Sequence, residues 1–374
     1  MEFPSRKSWI TQLVLILLLL CQTQNSFSKQ PLSLGSRNSS QIIKNNPDPI
    51  PLAKVKKDGK WGFIDRSGKV VIPIKFDWAV WFSENLCAVR ENNKYGFIDK
   101  TGKLVIPFIY DESFLFNEGL AAVKKGDKWG FINHEGKTII PFDYDLLLCF
   151  SEGSAFARKD NKLGFINQIG ETVIPFIYDD GLFFNEGLAP VCQNEKWGFI
   201  DQTGKLVIPF QYHETAFFTE GLVAVSMPGT GKWGFIDKTG KVFVQFIYDG
   251  TAVFKEGYAK VRKNEDWGFI NRKGELVVPF QFKSAQSYSD SLSVVSQLNK
   301  FNYWGFIDTT GTFVIQPSDY FFENAQKFTY GLAPVRINQK WGFINKKGDL
   351  VIPLIYQEAE HFMSGEFNLL EIMD

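Results

Sequence analysis

Apolar and polar positions alternate in short bursts along this chain, and the same set of bursts keeps returning. Between Gly119 and Glu152, Leu120-Ala121-Ala122-Val123-Lys124 is a small apolar run. Its equivalent, Leu52-Ala53-Lys54-Val55-Lys56, alternates as a half-buried strand should. Gly126-Asp127-Lys128 then turns the chain into Trp129-Gly130-Phe131-Ile132-Asn133, and the two runs read as a β-hairpin. Alternation sends Trp129 and Phe131 to one face and Gly130 and Ile132 to the other, where glycine leaves room for another backbone to approach closely. A third run, such as Lys103-Leu104-Val105-Ile106-Pro107, closes on a proline that recurs as Pro73, Pro107, Pro141, Pro175, Pro209, Pro279 and Pro353. Proline has no N–H to donate, so pairing must stop or the strand must lie at an edge; the strand is expected to end there.

The Trp-Gly run begins at Trp61, Tyr95, Trp129, Leu163, Trp197, Trp233, Trp267, Trp304 and Trp341, at intervals of 34, 34, 34, 34, 36, 34, 37 and 37 residues. Such a period marks an array whose units bury their apolar faces only against neighbours. It predicts an all-β tandem array of nine three-stranded antiparallel units over residues 51–374, with Trp197 and Phe199 in the core between units. An open-ended, solenoid-like array is expected, because propellers typically use four-stranded blades in numbers of about four to eight. A β-propeller-like ring is the alternative. Pro51-Leu52-Ala53-Lys54-Val55 and Glu366-Phe367-Asn368-Leu369-Leu370 share one strand type and read as two caps, although an extra strand could equally close a ring.

After each Trp-Gly run stands Asp or Asn followed three residues later by Gly, as in Asp65/Gly68, Asn133/Gly136 and Asp201/Gly204. A short Asx side chain bonds to the turn backbone, and Gly takes the left-handed conformation that closes it. Calcium is disfavoured, because the further oxygen ligands of an EF-hand loop are missing. Beyond the proline come Phe76-Asp77, Tyr110-Asp111, Tyr144-Asp145, Tyr178-Asp179 and Tyr248-Asp249, then a loop that differs from copy to copy. Glu112-Ser113-Phe114-Leu115, Leu146-Leu147-Leu148-Cys149 and Asp180-Gly181-Leu182-Phe183 are examples, and specificity is expected in such loops. Glu118, Glu152, Glu186, Glu220 and Glu256, each before Gly, read as a repeated turn requirement.

Lys60-Trp61-Gly62-Phe63-Ile64-Asp65, with Gly68, Pro73 and Asp77 downstream, resembles the WG-repeat family, also called KWG repeats. The resemblance covers about residues 51–356 and implies a β-repeat protein, mostly bacterial and often exported, with no catalytic residues to carry over. Tyr95 and Leu163 depart from it in place of Trp, Gln245 and Gln316 in place of Pro, and the tract from Gln281 to Tyr330 is looser and Ser-rich.

At the N-terminus, Arg6 and Lys7 precede an apolar run from Trp9 to Cys21, shorter than the roughly 20 residues a spanning helix needs. Residues 1–28 read as a signal peptide, cleaved after Ser28, so no integral span is expected in the mature chain. Cys21 raises the alternative of a lipid anchor. Residues 29–50 are rich in Ser, Asn, Gln and Pro and read as a flexible linker. Asn38-Ser39-Ser40 fits the glycosylation pattern without further support.

Lys plus Arg equals Asp plus Glu at 41 each, so no net field draws nucleic acid. Aromatics at 16% supply material for a continuous core. Cys87, Cys149 and Cys192 fall at different repeat positions, as buried apolar residues rather than a disulfide framework or metal site. His134, His213 and His361 are likewise unrelated in position, and no phosphate loop is present. No catalytic, cofactor-binding or metal residues are therefore assigned. The expected function is an exported, non-catalytic surface that binds a protein or glycan of the cell envelope, in the periplasm, at the cell surface or secreted. A structural envelope scaffold or spacer is the alternative.

Overall fold

The computed structural model describes residues 51–296 and 303–364. The segments 1–28 and 29–50, with Cys21 and Asn38, and the run 366–370 lie outside the described residues.

Each repeat builds a four-stranded antiparallel sheet, and nine such sheets are present among the described residues. In the third, Glu112–Asn117, Leu120–Lys125, Lys128–Ile132 and Thr138–Tyr144 follow in chain order. The expectation of three strands is corrected by the first of these, which is the variable segment itself. It escapes an alternation test because a register shift between Ser113 and Phe116 breaks its pairing. In the fifth sheet its ladder shrinks to Asp180–Gly181 and a single bridge between Asn185 and Leu188.

First strands of neighbouring sheets touch one another. Ser83 Oγ donates to Phe116 O at 2.6 Å, Asn117 Nδ2 to Phe150 O at 2.7 Å and Ser151 Oγ to Phe184 O at 2.7 Å. Fourth strands instead expose residues such as Leu104, Val105 and Ile109. First strands therefore surround an axis and fourth strands form the rim, as in the blades of a propeller.

The array is closed, which corrects the open solenoid. Glu358–Met363 pairs with Leu52–Lys57, so blade one holds both ends of the described chain, with Ala53 opposite Phe362 and Val55 opposite Ala359. The contact between blades nine and one is the contact made everywhere else. The phenylalanine of each Trp-Gly-Phe strand meets an aromatic ring on the first strand of the next blade: Phe63 meets Phe82 at 5.1 Å, Phe97 meets Phe116 at 4.9 Å, and Phe343 meets Phe362 at 5.1 Å. Gly68 of blade one lies over Ile352 of blade nine just as Gly136 lies over Ile106. Nine equal steps thus bring the chain back to its start, and the unused edges of an open array are removed by pairing them.

Two local expectations change. Proline does not end its strand: Leu104–Tyr110 runs through Pro107, at a bulge on the outermost strand where the missing N–H faces away from the sheet. Phe199 is fully buried between blades, but Trp197 is only half-buried, whereas Trp61 and Trp129 at the same position of their blades are buried. The glycine expectation holds, since a Cβ on Gly130 would stand 2.7 Å from Ile140 O. Among the described residues no helix is long and apolar enough to cross a membrane.

In five blades the lysine before the Trp-Gly position and the aspartate 17 residues later form a pair that the sequence did not suggest. Lys94 meets Asp111 at 2.5 Å, Lys128 meets Asp145 at 2.7 Å, and Lys60 and Lys232 pair with Asp77 and Asp249 in the same way. In blade seven the charges are exchanged, and Asp266 meets Lys283 at 2.8 Å. The second oxygen of Asp111 accepts from the hairpin N–H of Gly126 in the next blade, so the carboxylate joins two blades.

These hydrogen bonds set an acid limit. Lysine donors hold Asp77, Asp111, Asp145, Asp179 and Asp249 below the ordinary 3.8, and threonine hydroxyls do the same for Asp99, Asp201, Asp237 and Asp308. A lowered folded pKa stabilises fully above the unfolded value and is lost as pH falls through the folded one. Glu118 and Asp180, raised by burial, act in the opposite sense. Asp65 and Asp143 are lowered as well, and with eleven carboxylates against two the melting temperature is expected to fall steadily below about pH 4. A melting temperature that rises between about pH 4 and pH 2.5 would contradict this.

Candidate functional site

The axis is lined by one side chain from the middle of each first strand, and the lining is not uniform. From blade two to blade seven it is Trp81, Leu115, Cys149, Phe183, Phe217 and Val253; Ser287, Lys327 and His361 of blades eight, nine and one complete the circle. All are buried. The segments expected to offer exposed contacts therefore do not: Phe114, Leu115, Leu147, Leu148, Cys149 and Phe183 pack around the axis, because the strand that carries them is the innermost one.

One face of the ring is held by the recurrent glutamates. Each sits in the left-handed region, Glu118 at φ 52° for example, as the two-residue turn before Gly requires. Each also reaches the next blade, which sequence spacing alone did not reveal. Glu118 accepts from Gly153 N at 3.0 Å and Glu152 from Gly187 N at 2.9 Å, while Lys238 pairs with Glu186 at 3.1 Å and Arg272 with Glu220 at 3.2 Å. His134 belongs to this set, with Nε2 3.0 Å from Glu84 and its ring stacked on Phe116 at 4.4 Å.

The opposite face carries the hairpin turns, and of the three departures from the 34-residue interval two are seen on it, while the one in blade eight falls mostly on 297–302, outside the described residues. Two extra residues lie between Leu222 and Trp233 in blade six, beside the exposed Met227, and three between Leu292 and Trp304 in blade eight. The third is in the connection from blade eight to blade nine. Trp304 N donates to Phe322 O at 3.0 Å, so Phe322 takes the place that Tyr144 has opposite Trp129, 18 residues on instead of 15. The three inserted residues form part of a helical turn, Pro317–Tyr320, followed by Phe321. Phe321 is 54% exposed at φ 53°, a conformation that costs a non-glycine residue energy. Its ring stands edge-on to Tyr303 at 5.2 Å, and Tyr320 stacks on Phe322 at 5.3 Å.

Nine consecutive matches to the WG containing repeat cover residues 61–95, 95–129, 129–162, 164–197, 197–229, 233–265, 267–301, 304–341 and 341–367. The chain belongs to the WG-containing repeat family. No curated protein sequence matches it. Among solved structures, this WG-repeat chain is similar to a crystal structure described as the eukaryotic initiation factor, at 12% identity and TM-score 0.60, over 85% of this chain and 98% of that one. BamB from Moraxella catarrhalis matches at 11% identity and TM-score 0.45, over 71% of this chain and 94% of that one. AztD from Citrobacter koseri matches at 9% and 0.43, over 84% and 97%. The first shares the fold alone.

Within the WG-repeat ring the remaining reactive side chains are dispersed. His213 is exposed at the entry to blade six, where its N–H donates to Ser226 O, Cys87, Cys149 and Cys192 are buried, and burial pushes the Cys87 thiol up. Among the described residues no group of three or more His, Cys, Asp or Glu is placed to hold a metal ion. Leu163, where the WG repeat carries tryptophan, is fully buried and touches Gly181 of the next blade.

Proposed function

We propose that this WG-repeat protein is an exported, non-catalytic binding platform, which holds a protein or glycan of the cell envelope on the hairpin face over blades six to eight. The observation that carries this reading is the exposed Phe321 ring, raised on that face by the residues inserted between blades eight and nine. Its left-handed backbone closes the helical turn, with its N–H donating to Pro317 O, and leaves the ring in solvent, and aromatic rings are the common anchors of protein contacts and of sugar faces. Export rests on the Arg6-Lys7 and apolar run of the first 28 residues.

The test is capture of envelope partners by the purified ring, with and without competing glycans, for the wild type and for Phe321→Ala. Loss of affinity by about tenfold or more is expected, the size of a truncated aromatic anchor. Replacing Ile109, exposed on the rim of blade two, should change nothing. Undiminished capture by Phe321→Ala, or turnover of a substrate by the purified protein, sinks the reading.

A further inference from the structure

The outermost strand of each blade has a neighbour on one side only, so its other edge is open. Such an edge invites an extended strand to add to it, and proline is a common guard because it removes a donor. Seven blades carry that guard as the fourth of seven residues, as Pro107 in Leu104–Tyr110. In blade six the same place in Val242–Tyr248 is held by the exposed Gln245. Blade eight lacks the proline too, but its outer strand, Phe313–Ile315, stops short of Gln316, and Pro317 follows. Blade six therefore has the one unguarded seven-residue edge among the described residues.

The pairing register tells where the missing donor would point. Trp233 stands opposite Tyr248 and Phe235 opposite Val244, as Tyr95 stands opposite Tyr110 and Phe97 opposite Ile106. The ladder is thus the same with Pro107 as with Gln245, and it makes no use of an N–H at this place. The Gln245 N–H stands on the open edge, between Phe243 and Ile247, which are 42% and 48% exposed. This edge is complementary to itself. Turned antiparallel about Gln245, it brings Phe243 opposite Ile247 and Lys241 opposite Asp249, an apolar pair flanked by a pair of opposite charges on either side of the centre. Asp249 already accepts from Lys232 and from the Asn264 N–H, and the lysine of a second copy would add a third donor. At the centre Gln245 meets Gln245, and the two can exchange both N–H···O bonds, as a hydrogen-bonded antiparallel pair does. The same reversal about Pro107 puts Lys103 opposite Asp111 in blade two, but there the central donor is missing.

We infer that the ring forms a two-fold dimer through the outer edge of blade six, where Val242–Tyr248 pairs antiparallel with the same strand of a second copy about Gln245. The contact is isologous, so it closes after two chains, and the prolines of the other seven-residue edges keep further chains off. The rim lies apart from the hairpin face, so the dimer stands or falls separately from the platform proposed above.

Sedimentation of the chain from Lys29 onward, which contains the whole closed ring, should show a monomer–dimer equilibrium. Gln245→Pro should raise its dissociation constant at least about tenfold. The monomer should melt as the wild type does, because seven blades already carry proline at that place. Phe243→Lys should weaken the dimer as well, while leaving the backbone donor intact. Residues 242–248 should exchange their amide hydrogens more slowly at high protein concentration than at low, and Leu104–Tyr110 should not change. Pro107→Gln should open a second edge and carry assembly beyond the dimer. A wild-type chain that is still monomeric at about 1 mM overturns the proposal and leaves the edge to an extended strand of another protein. A dimer of unchanged affinity in both Gln245→Pro and Phe243→Lys overturns it too, since the contact then lies elsewhere.

Discussion

Phe199→Ala is expected to lower the stability of the ring by about 3–5 kcal/mol, the range for removing a fully buried phenylalanine. Phe199 belongs to the third strand of blade five and meets Phe218 of blade six edge-on at 5.2 Å. Its loss would empty the space between two blades, and neither side can collapse into it, because the same Phe pairs fix the spacing at the flanking interfaces, as between Phe165 and Phe184 at 4.9 Å. Trp197, two residues earlier on the same face, is half-buried and packs only at the margin of that cluster. Trp197→Ala should therefore cost less than Phe199→Ala, in spite of the larger ring. The check is the urea midpoint of each variant, followed by the fluorescence of the other tryptophans. Equal losses at the two positions, or an unchanged midpoint for Phe199→Ala, would show that the blades are not held by this contact.

What could be read from the sequence follows from how far each interaction reaches along the chain. The hairpin of Leu120–Lys125 and Lys128–Ile132 is local, and its alternation and turn glycine declared it. The Asx turns were equally plain, since Asp99 Oδ1 accepts from Thr101 N at 2.8 Å, two residues away. The innermost strand was not legible. Its side chains face the axis and the neighbouring blades rather than one core and one solvent face, so they lack a period of two. Closure lay further out of reach, because it depends on pairs such as Lys56 and Glu358, 302 residues apart, which meet only once nine steps have summed to a full turn. The looseness of the tract from Gln281 to Tyr330 did point to blade eight. That its inserted residues would raise Phe321 into solvent depended on the pairing of Trp304 with Phe322.

The glutamate latches show the same limit from another side. As turn residues they were recognisable, because a left-handed residue before glycine is a local requirement. Their second role needs the next blade in place. Tyr330 stands where the glutamate would be in blade nine, and Phe343 packs on Phe362 across the seam between blades nine and one.

Gly234→Ala is expected to destabilise the ring by about 1–3 kcal/mol, or more if the blade cannot adjust, although it adds a single methyl group. The added Cβ would stand 2.5 Å from Val244 O, 2.9 Å from the Phe246 ring and 3.0 Å from the Gln245 carbonyl carbon. Two of these three neighbours are backbone, fixed by the bulge at which the outer strand crosses over the glycine, between Trp233 opposite Tyr248 and Phe235 opposite Val244. The strand must therefore move outward or give up its pairing. Gly250→Ala is the control, since a Cβ there would first meet the Arg262 guanidinium at 3.3 Å, the end of a long side chain that can give by a few tenths of an ångström while keeping its bond to Asp249 O. Its effect should stay within about 0.5 kcal/mol. The same crossing recurs at Gly62, Gly96, Gly130, Gly164, Gly198, Gly268, Gly305 and Gly342, where the nearest backbone atom would lie 2.5–2.7 Å away. The glycine that marks each copy is thus a steric condition of the bulge, and a Gly234→Ala ring that unfolds at the wild-type urea concentration would remove that explanation for all nine.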